Sequence, residues 1–338
     1  MQKIIDTVLG FINVFLSIFR LVILRKRKYD VLEKEHGLLA ELCEIHSEIP
    51  VSTEKPNTCL CVIFSMDRAM QLHSLLSSYY EKTKNPAEVV VLYRVTDDAH
   101  GKAYDEVFKS FQGRISSGEL AFVLQDNKET FRRQLISILG DSMHEKVFFL
   151  VDDIIFIEDY DLKDFASYDS YRFIPSLRMG ANLEYCYTKR SVQAKPSFIA
   201  YNVADNGRLY WIWKNGELDW AYPLSVDGHI FSRREIIACC RYMDFNSPNT
   251  FEGNLQDFNR FFNKRTGVCY KKSILVNIPI NKVQNENDNR YGSVHQDDLL
   301  KKWNEGYRID YRKLYGFLNM DVHQEIEVEF IKRKEYDA

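Results

Sequence analysis

Two adjacent acids break an apolar run near the middle of the chain. Phe148-Phe149-Leu150-Val151 leads into Asp152-Asp153, and Ile154-Ile155-Phe156 follows. Neighbouring like charges at the end of a buried strand cost free energy unless something neutralises them. A divalent cation such as Mn2+ or Mg2+ does this well, because carboxylate oxygens suit hard metals and phosphate oxygens can complete the shell. The opposing reading is a capped turn with both acids in water. The apolar flanks and the position at a strand end favour the metal.

A carboxylate pair does chemistry only where a fold holds it, and the preceding sequence supplies one. Residues 59–64 (CLCVIF) form a short apolar run of the kind covered on both faces, and a helix is predicted over 68–80 with Asp67 as its cap. Strands follow at 88–93, 120–124 and 146–151, separated by helices at 101–111 and 129–139. Four strands alternating with three helices predict an α/β fold, a Rossmann-like, mostly parallel sheet flanked by helices. Ligands of such sheets sit at the carboxyl ends of the strands. The polar residues there are Ser65, Asp67 and Arg68, then Tyr93 and Arg94, then Gln125 and Asp126, and finally Asp152 and Asp153. Beyond residue 159 the pattern loosens. Leu209-Tyr210-Trp211-Ile212-Trp213 reads as a strand piece, helices are predicted over 233–242 and 254–263, and a late strand over 325–330 places Ile326, Val328 and Phe330 on one face.

Several segments in order carry a family resemblance: FSMDRAMQLHSLLSSY, VVVLYR, the strand ending Val151-Asp152-Asp153, SVDGHIF, SPNTFEGNL and IPINKVQNENDNRYG. Together they resemble bacterial glycosyltransferases of the GT-A fold with a DxD-type metal site, over about residues 58–307. Val151 stands where that motif has its first acid. The resemblance implies Asp153, the last acid, as the metal ligand, with Asp152 on the ribose or a metal-bound water. It implies a nucleotide-sugar donor, a UDP-sugar by preference, received beside Ser65, Asp67 and Arg68.

The remaining candidates lie at the later strand ends and in the second half of the body. Tyr93 and Arg94 are placed to hold the base, and Asp126 lies at the next strand end. Arg132 is a candidate for the diphosphate because guanidinium matches phosphate geometry; Arg133 beside it reads as solvent-facing. Asp227 is a candidate for donor hydroxyls and Gly228 for a close backbone approach to the sugar, whereas His229 reads as a core histidine. Glu252, on the loop 247–253, stands where inverting members of the family carry the general base; its plainer role is a first-turn glutamate at a helix dipole. His295 is a candidate for the additional C-terminal metal ligand that several members carry; its plainer role is an exposed loop histidine.

The flanks and composition bound the rest. The chain divides into an N-terminal segment 1–49, a linker 50–57 and a body 58–338, the last split into a nucleotide half 58–160 and an acceptor half 161–338. Asp6, Gly10, Asn13, Ser17 and Arg20 recur at steps of four and three, a narrow polar stripe on an otherwise apolar helix, and Arg25-Lys26-Arg27-Lys28 follow it. The expectation is an amphipathic helix at a membrane surface, spanning it, or joining copies of the chain into a homo-oligomer, with the body on the cytoplasmic face of the cell membrane. A net charge of -3 with no basic tract in the body argues against nucleic acid. Seven cysteines without a C-x-x-C pair read as reduced thiols. The expected acceptor is a glycan or a lipid-linked hydroxyl of an envelope or surface polysaccharide. A sugar-phosphate nucleotidyltransferase is the alternative enzyme, but it wants a glycine-rich loop after the first strand, and residues 59–70 contain no glycine. A non-catalytic interaction protein of the same fold is the other alternative; intact Asp152, Asp153 and Glu252 argue against it.

Overall fold

A computed structural model describes residues 26–48, 58–127, 130–200, 207–280 and 296–333, together with Thr7, Val8, Gly10 and Ile12. The linker 50–57, His295 and nearly all of the expected membrane helix lie outside the described residues. Among the described residues no helix is long and apolar enough to cross a membrane.

The central sheet grows from the apolar run after the linker. Strand β1 (Cys59–Met66) is buried almost throughout, and its alternating side chains feed two cores. Cys59, Cys61 and Ile63 pack with Leu72, Leu75, Leu76 and Tyr79 of helix α2 (Ala69–Lys82). Leu60, Val62 and Phe64 point the other way, toward Phe131, Leu135 and Leu139 of helix α4 (Phe131–Asp141). This two-sided cover explains why β1 reads as a continuous apolar run rather than as an alternation. Strands β2 (Glu88–Arg94), β3 (Leu120–Leu124) and β4 (Lys146–Val151) run parallel to it, and helix α3 (Asp98–Ser110) joins β2 to β3. The order across the sheet is β3-β2-β1-β4, closed by an antiparallel edge strand β8 (Ile230–Ser232). The chain therefore steps outward from β1 to β3 and then returns to the other side of β1. The crevice between the carboxyl ends of β1 and β4 is the topological switch point.

The strand β5 (Ile154–Phe156) follows Asp152-Asp153 directly and pairs with β10 (Leu275–Asn277). A second sheet stacks β6 (Phe173–Pro175), β9 (Thr266–Cys269) and β7 (Leu209–Ile212), with Trp211, Trp213 and Trp220 buried beside it. Several elements differ from expectation. Asp67 does not cap α2: its backbone is left-handed (φ 55°) and its carboxylate accepts instead from the Thr96 N–H and hydroxyl, both at 2.9 Å. Helix α6 (Pro248–Leu255) begins earlier than predicted, because Ser247 and Thr250 close a capping box and Pro248 fits the first turn. The late strand is β12 (Phe330–Lys332), paired with β11 (Tyr307–Ile309); residues 325–329 are not strand.

Helix α1 (Lys26–Ser47) belongs in part to the body. Its Leu38, Leu42 and Ile45 are buried in the same core as α5 (Arg233–Arg241). Gly37 permits the close approach, since a Cβ there would lie 2.6 Å from the Tyr242 ring. His46 Nε2 meets the fully buried Glu235 at 2.8 Å, and Arg265 grips the same carboxylate through both terminal nitrogens at 2.6 and 2.7 Å. Ion pairs Glu35–Arg260 and Glu48–Arg234 flank this contact. Leu42→Ala should therefore destabilise the whole body by about 2–5 kcal/mol, as expected for truncating a core leucine. Urea unfolding followed by tryptophan fluorescence measures this, and an unchanged midpoint would show that α1 stands outside the cooperative unit.

Candidate active site

The register of the central sheet assembles the site. Phe64 lies opposite Val151, so the next residues, Ser65 and Asp152, meet at the strand ends. Ser65 Oγ donates to Asp152 Oδ2 at 2.8 Å, and the Met66 N–H donates to the same oxygen at 3.2 Å. Arg68 Nη1 donates to Asp152 Oδ1 at 2.9 Å and stands 3.7 Å from Asp153 Oδ2. Both oxygens of Asp152 are thus engaged inside the protein, and its residue exposure is only 4%. The Tyr104 hydroxyl lies 2.5 Å from Ser65 Oγ and accepts from the Arg68 N–H. Tyr104 in turn stacks on Tyr93, with centroids 5.1 Å apart. Tyr93 therefore backs the Tyr104 ring while remaining partly exposed.

Asp153 is the less engaged acid. Its Oδ1 accepts from Asn277 Nδ2 at 3.3 Å, and its carbonyl accepts from the Ile278 N–H at 2.8 Å. Burial pushes its carboxyl up to about 7, Arg68 opposes this, and Asp152 and Asp227 add to it. Among the described residues no three His, Cys, Asp or Glu side chains converge on a point that could hold a metal. The donor set here fits a cation held by Asp153 and completed by oxygens of a bound ligand, the mode in which Mg2+-type ions use one or two carboxylates with substrate phosphates.

A second polar centre lies beside the first. Arg178 Nη1 donates to Asp227 Oδ2 at 2.9 Å and to Ser225 Oγ at 2.5 Å, and Nη2 lies 3.6 Å from Asp219 Oδ1. Glu252, in the middle of α6, receives the Ser225 hydroxyl at 3.0 Å and the Val226 N–H at 3.1 Å, both on Oε1. Burial and the charge of Asp227 raise its carboxyl to about 7 against the pull of Arg178. His323 Nε2 approaches Asp227 at 3.9 Å, and burial with the nearby Arg178 lowers its imidazole to about 4, so it is neutral at pH 7. Asp227 couples electrostatically to both Asp153 and Glu252. Asp152, Asp153, Asp227 and Glu252 are thus linked electrostatically into one acidic row, with Arg68 paired to Asp152 and Arg178 paired to Asp227.

Other predicted residues sit elsewhere. Arg132 is not at the strand ends: its guanidinium donates to the carbonyls of Cys240 and Met243, closing the end of α5. Gly228 serves packing, because a Cβ at its φ of 78° would meet Leu275 Cδ2 at 2.8 Å and Leu177 Cβ at 3.3 Å. Arg94 offers its carbonyl to the Asp67 N–H, and Asp126 is exposed. His229 is a core histidine whose Nδ1 meets the Pro223 carbonyl at 2.9 Å. Arg178, Asn277 and His323 escaped the sequence reading. Each lies outside the segments that flank the predicted strands; the pairing of β10 with β5 and the bridge between Asn277 and His323 bring in the last two, and Arg178 is brought in by the bridge between Ser176 and His229 just before it.

No family model matches the chain. The bifunctional glycosyltransferase pgtA of Dictyostelium discoideum is 25% identical over 266 residues, 70% of this chain. This chain is similar to a glycosyltransferase. It spans about a third (33%) of the length of that relative. Among solved structures, S. aureus TarS is 16% identical with a TM-score of 0.40, covering 64% of this chain and 36% of that one. The mannosyltransferase PcManGT from Pyrobaculum calidifontis, solved with GDP-Man and Mn2+, is 14% identical with a TM-score of 0.29, covering 47% of this chain and 51% of that one. These structural likenesses are too distant to bear on the site.

The raised carboxyl of Asp153 has a definite consequence. A carboxyl whose folded value lies above its ordinary one of about 3.9 costs stability as pH rises through that interval, because folding then opposes ionisation. Asp153→Asn should therefore leave stability near pH 3 unchanged and raise it at pH 8 by on the order of 1–4 kcal/mol. Thermal melts across pH without added metal test this. Parallel curves for the variant and the parent protein would mean that Arg68 already neutralises Asp153 in full.

Proposed function

We propose that this chain is a metal-dependent glycosyltransferase of the GT-A type that moves a sugar from a nucleoside-diphosphate donor to an acceptor hydroxyl with inversion. The observation that carries this reading is the acidic row itself. Glu252 and Arg178 share the Ser225 hydroxyl, Arg178 pairs with Asp227, and Gly228 after it bonds β4, the strand that ends in Asp152-Asp153. The similarity to a glycosyltransferase over most of the chain supports the same reaction class.

In this reading the nucleoside diphosphate lies at the carboxyl ends of β1 and β4. Asp153 holds the cation, which neutralises charge on the diphosphate. Asp152 does not ligate it but fixes Arg68, whose guanidinium then stays at the phosphate side of the crevice. Asp227, held rigid by Arg178, faces the sugar hydroxyls. The acceptor oxygen attacks the anomeric carbon as its bond to the diphosphate oxygen breaks. The electron pair departs with the diphosphate, and the acceptor proton passes to Glu252. A base that titrates near pH 7 suits this transfer, because about half of it is ionised at neutral pH and it still binds the proton well.

The N-terminal segment 1–28 is the proposed tether, resting on its polar stripe and the basic cluster Arg25-Lys26-Arg27-Lys28. It would hold the body at the cytoplasmic face of the membrane, facing a lipid-linked or envelope-glycan acceptor, and would also serve any self-association.

Incubation with a panel of UDP- and GDP-sugars and Mn2+ should yield transfer or slow donor hydrolysis with one of them, and a chelator should abolish it. Glu252→Gln should then lower turnover by roughly 100- to 10,000-fold while donor affinity, measured by calorimetry, is kept. Unchanged turnover in that variant would remove Glu252 from the chemistry.

A further inference from the structure

The hydrogen bonds around Glu252 have a direction that the hydroxyl of Ser225 determines. Its Oγ receives Arg178 Nη1 at 2.5 Å and the Asp227 N–H at 3.3 Å. Neither a guanidinium nor a backbone N–H can accept a proton, and a serine hydroxyl has two lone pairs and one hydrogen. Both lone pairs being engaged, the single hydrogen goes to Glu252 Oε1, 3.0 Å away. The Val226 N–H donates to the same oxygen at 3.1 Å. Oε1 is thus bound by two donors, while Oε2 has no hydrogen-bond partner among the described residues.

We propose that Arg178 and Ser225 are positioning residues for Glu252: acting in series, they pin Oε1 as a permanent acceptor and leave Oε2 as the one oxygen that takes up a proton. This rests on the reading of Glu252 as the base. It adds which oxygen reacts and which residues choose it. Asp219 and Asp227 flank the same guanidinium at 3.6 and 2.9 Å, so Arg178 is held from two sides and cannot readily swing away. The charged and titratable groups that face Glu252 are Asp227 and Arg178 from the neighbouring segments and Tyr222 from the preceding turn. Asp227 raises its proton affinity; Arg178 and the two hydrogen bonds on Oε1 lower it.

The test is Ser225→Ala in the full-length protein, read in two ways. Carboxyl 13C NMR, with the Glu252 signal assigned by its loss in Glu252→Gln, follows the titration directly and needs no turnover. Removing a hydrogen bond to the charged form raises the titration midpoint. The expected shift is about one pH unit, equivalent to a tenfold change in proton affinity. The acid limb of the transfer rate should move with it, so that activity at pH 6 falls by up to about tenfold and the deficit shrinks toward alkaline pH. Ser225→Cys, which keeps a weak donor, should shift both less, and it stands in if the alanine variant does not fold. An unmoved carboxyl titration would overturn the proposal. A titration that moves while the rate profile does not would uphold the positioning and reject Glu252 as the base.

Discussion

Five carboxylates, Asp219 among them, share the crevice and its neighbourhood, and among the described residues two guanidiniums, Arg68 and Arg178, are built against them. Desolvated acids in that number are tolerated only where each charge has a partner or a proton. The arrangement meets this unevenly. Asp152 and Asp227 are paired outright, by Arg68 and Arg178. Asp153 and Glu252 are left with carboxyls raised to about 7. The two underneutralised acids are the two with spare coordination, one at the strand ends and one on a helix beside them. An excess of negative charge of this kind is what a cation and a proton relieve, and the functional reading follows from that imbalance more than from any single motif.

Holding the row in place requires backbone that most sequences would not adopt. Asp67 takes a left-handed conformation so that the chain leaving β1 turns Arg68 back over Asp152. Gly228 does the same beneath Asp227: its N–H bonds the Phe149 carbonyl of β4 and its carbonyl accepts from Leu177, with leucines filling the space a side chain would need. The segment 225–228 is therefore stitched to the strand that ends in the acid pair. Asp227 and Ser225 have their positions set by the central sheet, and Glu252 has its position set by Ser225. The rigidity passes from one centre to the other along hydrogen bonds that are all buried or nearly so.

The far side of the fold has its own charge constraint. Glu235 is fully buried at the start of α5, and Arg265 and His46 satisfy it from two different regions of the chain. This joins α1 to the second sheet through a single carboxylate. A segment that reads as a separate charged helix is for that reason part of the structure that supports β8, and with it the turn carrying Asp227.

The sequence alone determined the parallel core and the acid pair, because both are written in local patterns. A doubly covered strand is a contiguous apolar run, and β1, β2 and β4 each are; two acids ending such a run declare themselves. It also marked Ser65, Arg68, Asp227 and Glu252 as segments worth examining. Which oxygen each of these groups presents was decided only by tertiary structure. Asp67 and Arg132 have the residue types of a cap and a phosphate ligand, yet one bonds Thr96 and the other closes a helix end more than a hundred residues away. Arg178, Asn277 and His323 lie in stretches with no periodic signal, and the pairing of β5 with β10 and the bridge at Asn277 carry the last two into the site. Charge balance is a property of residues distant in sequence and close in space. No window along the chain contains both halves of an ion pair such as Arg178 and Asp227, and folding alone brings them together.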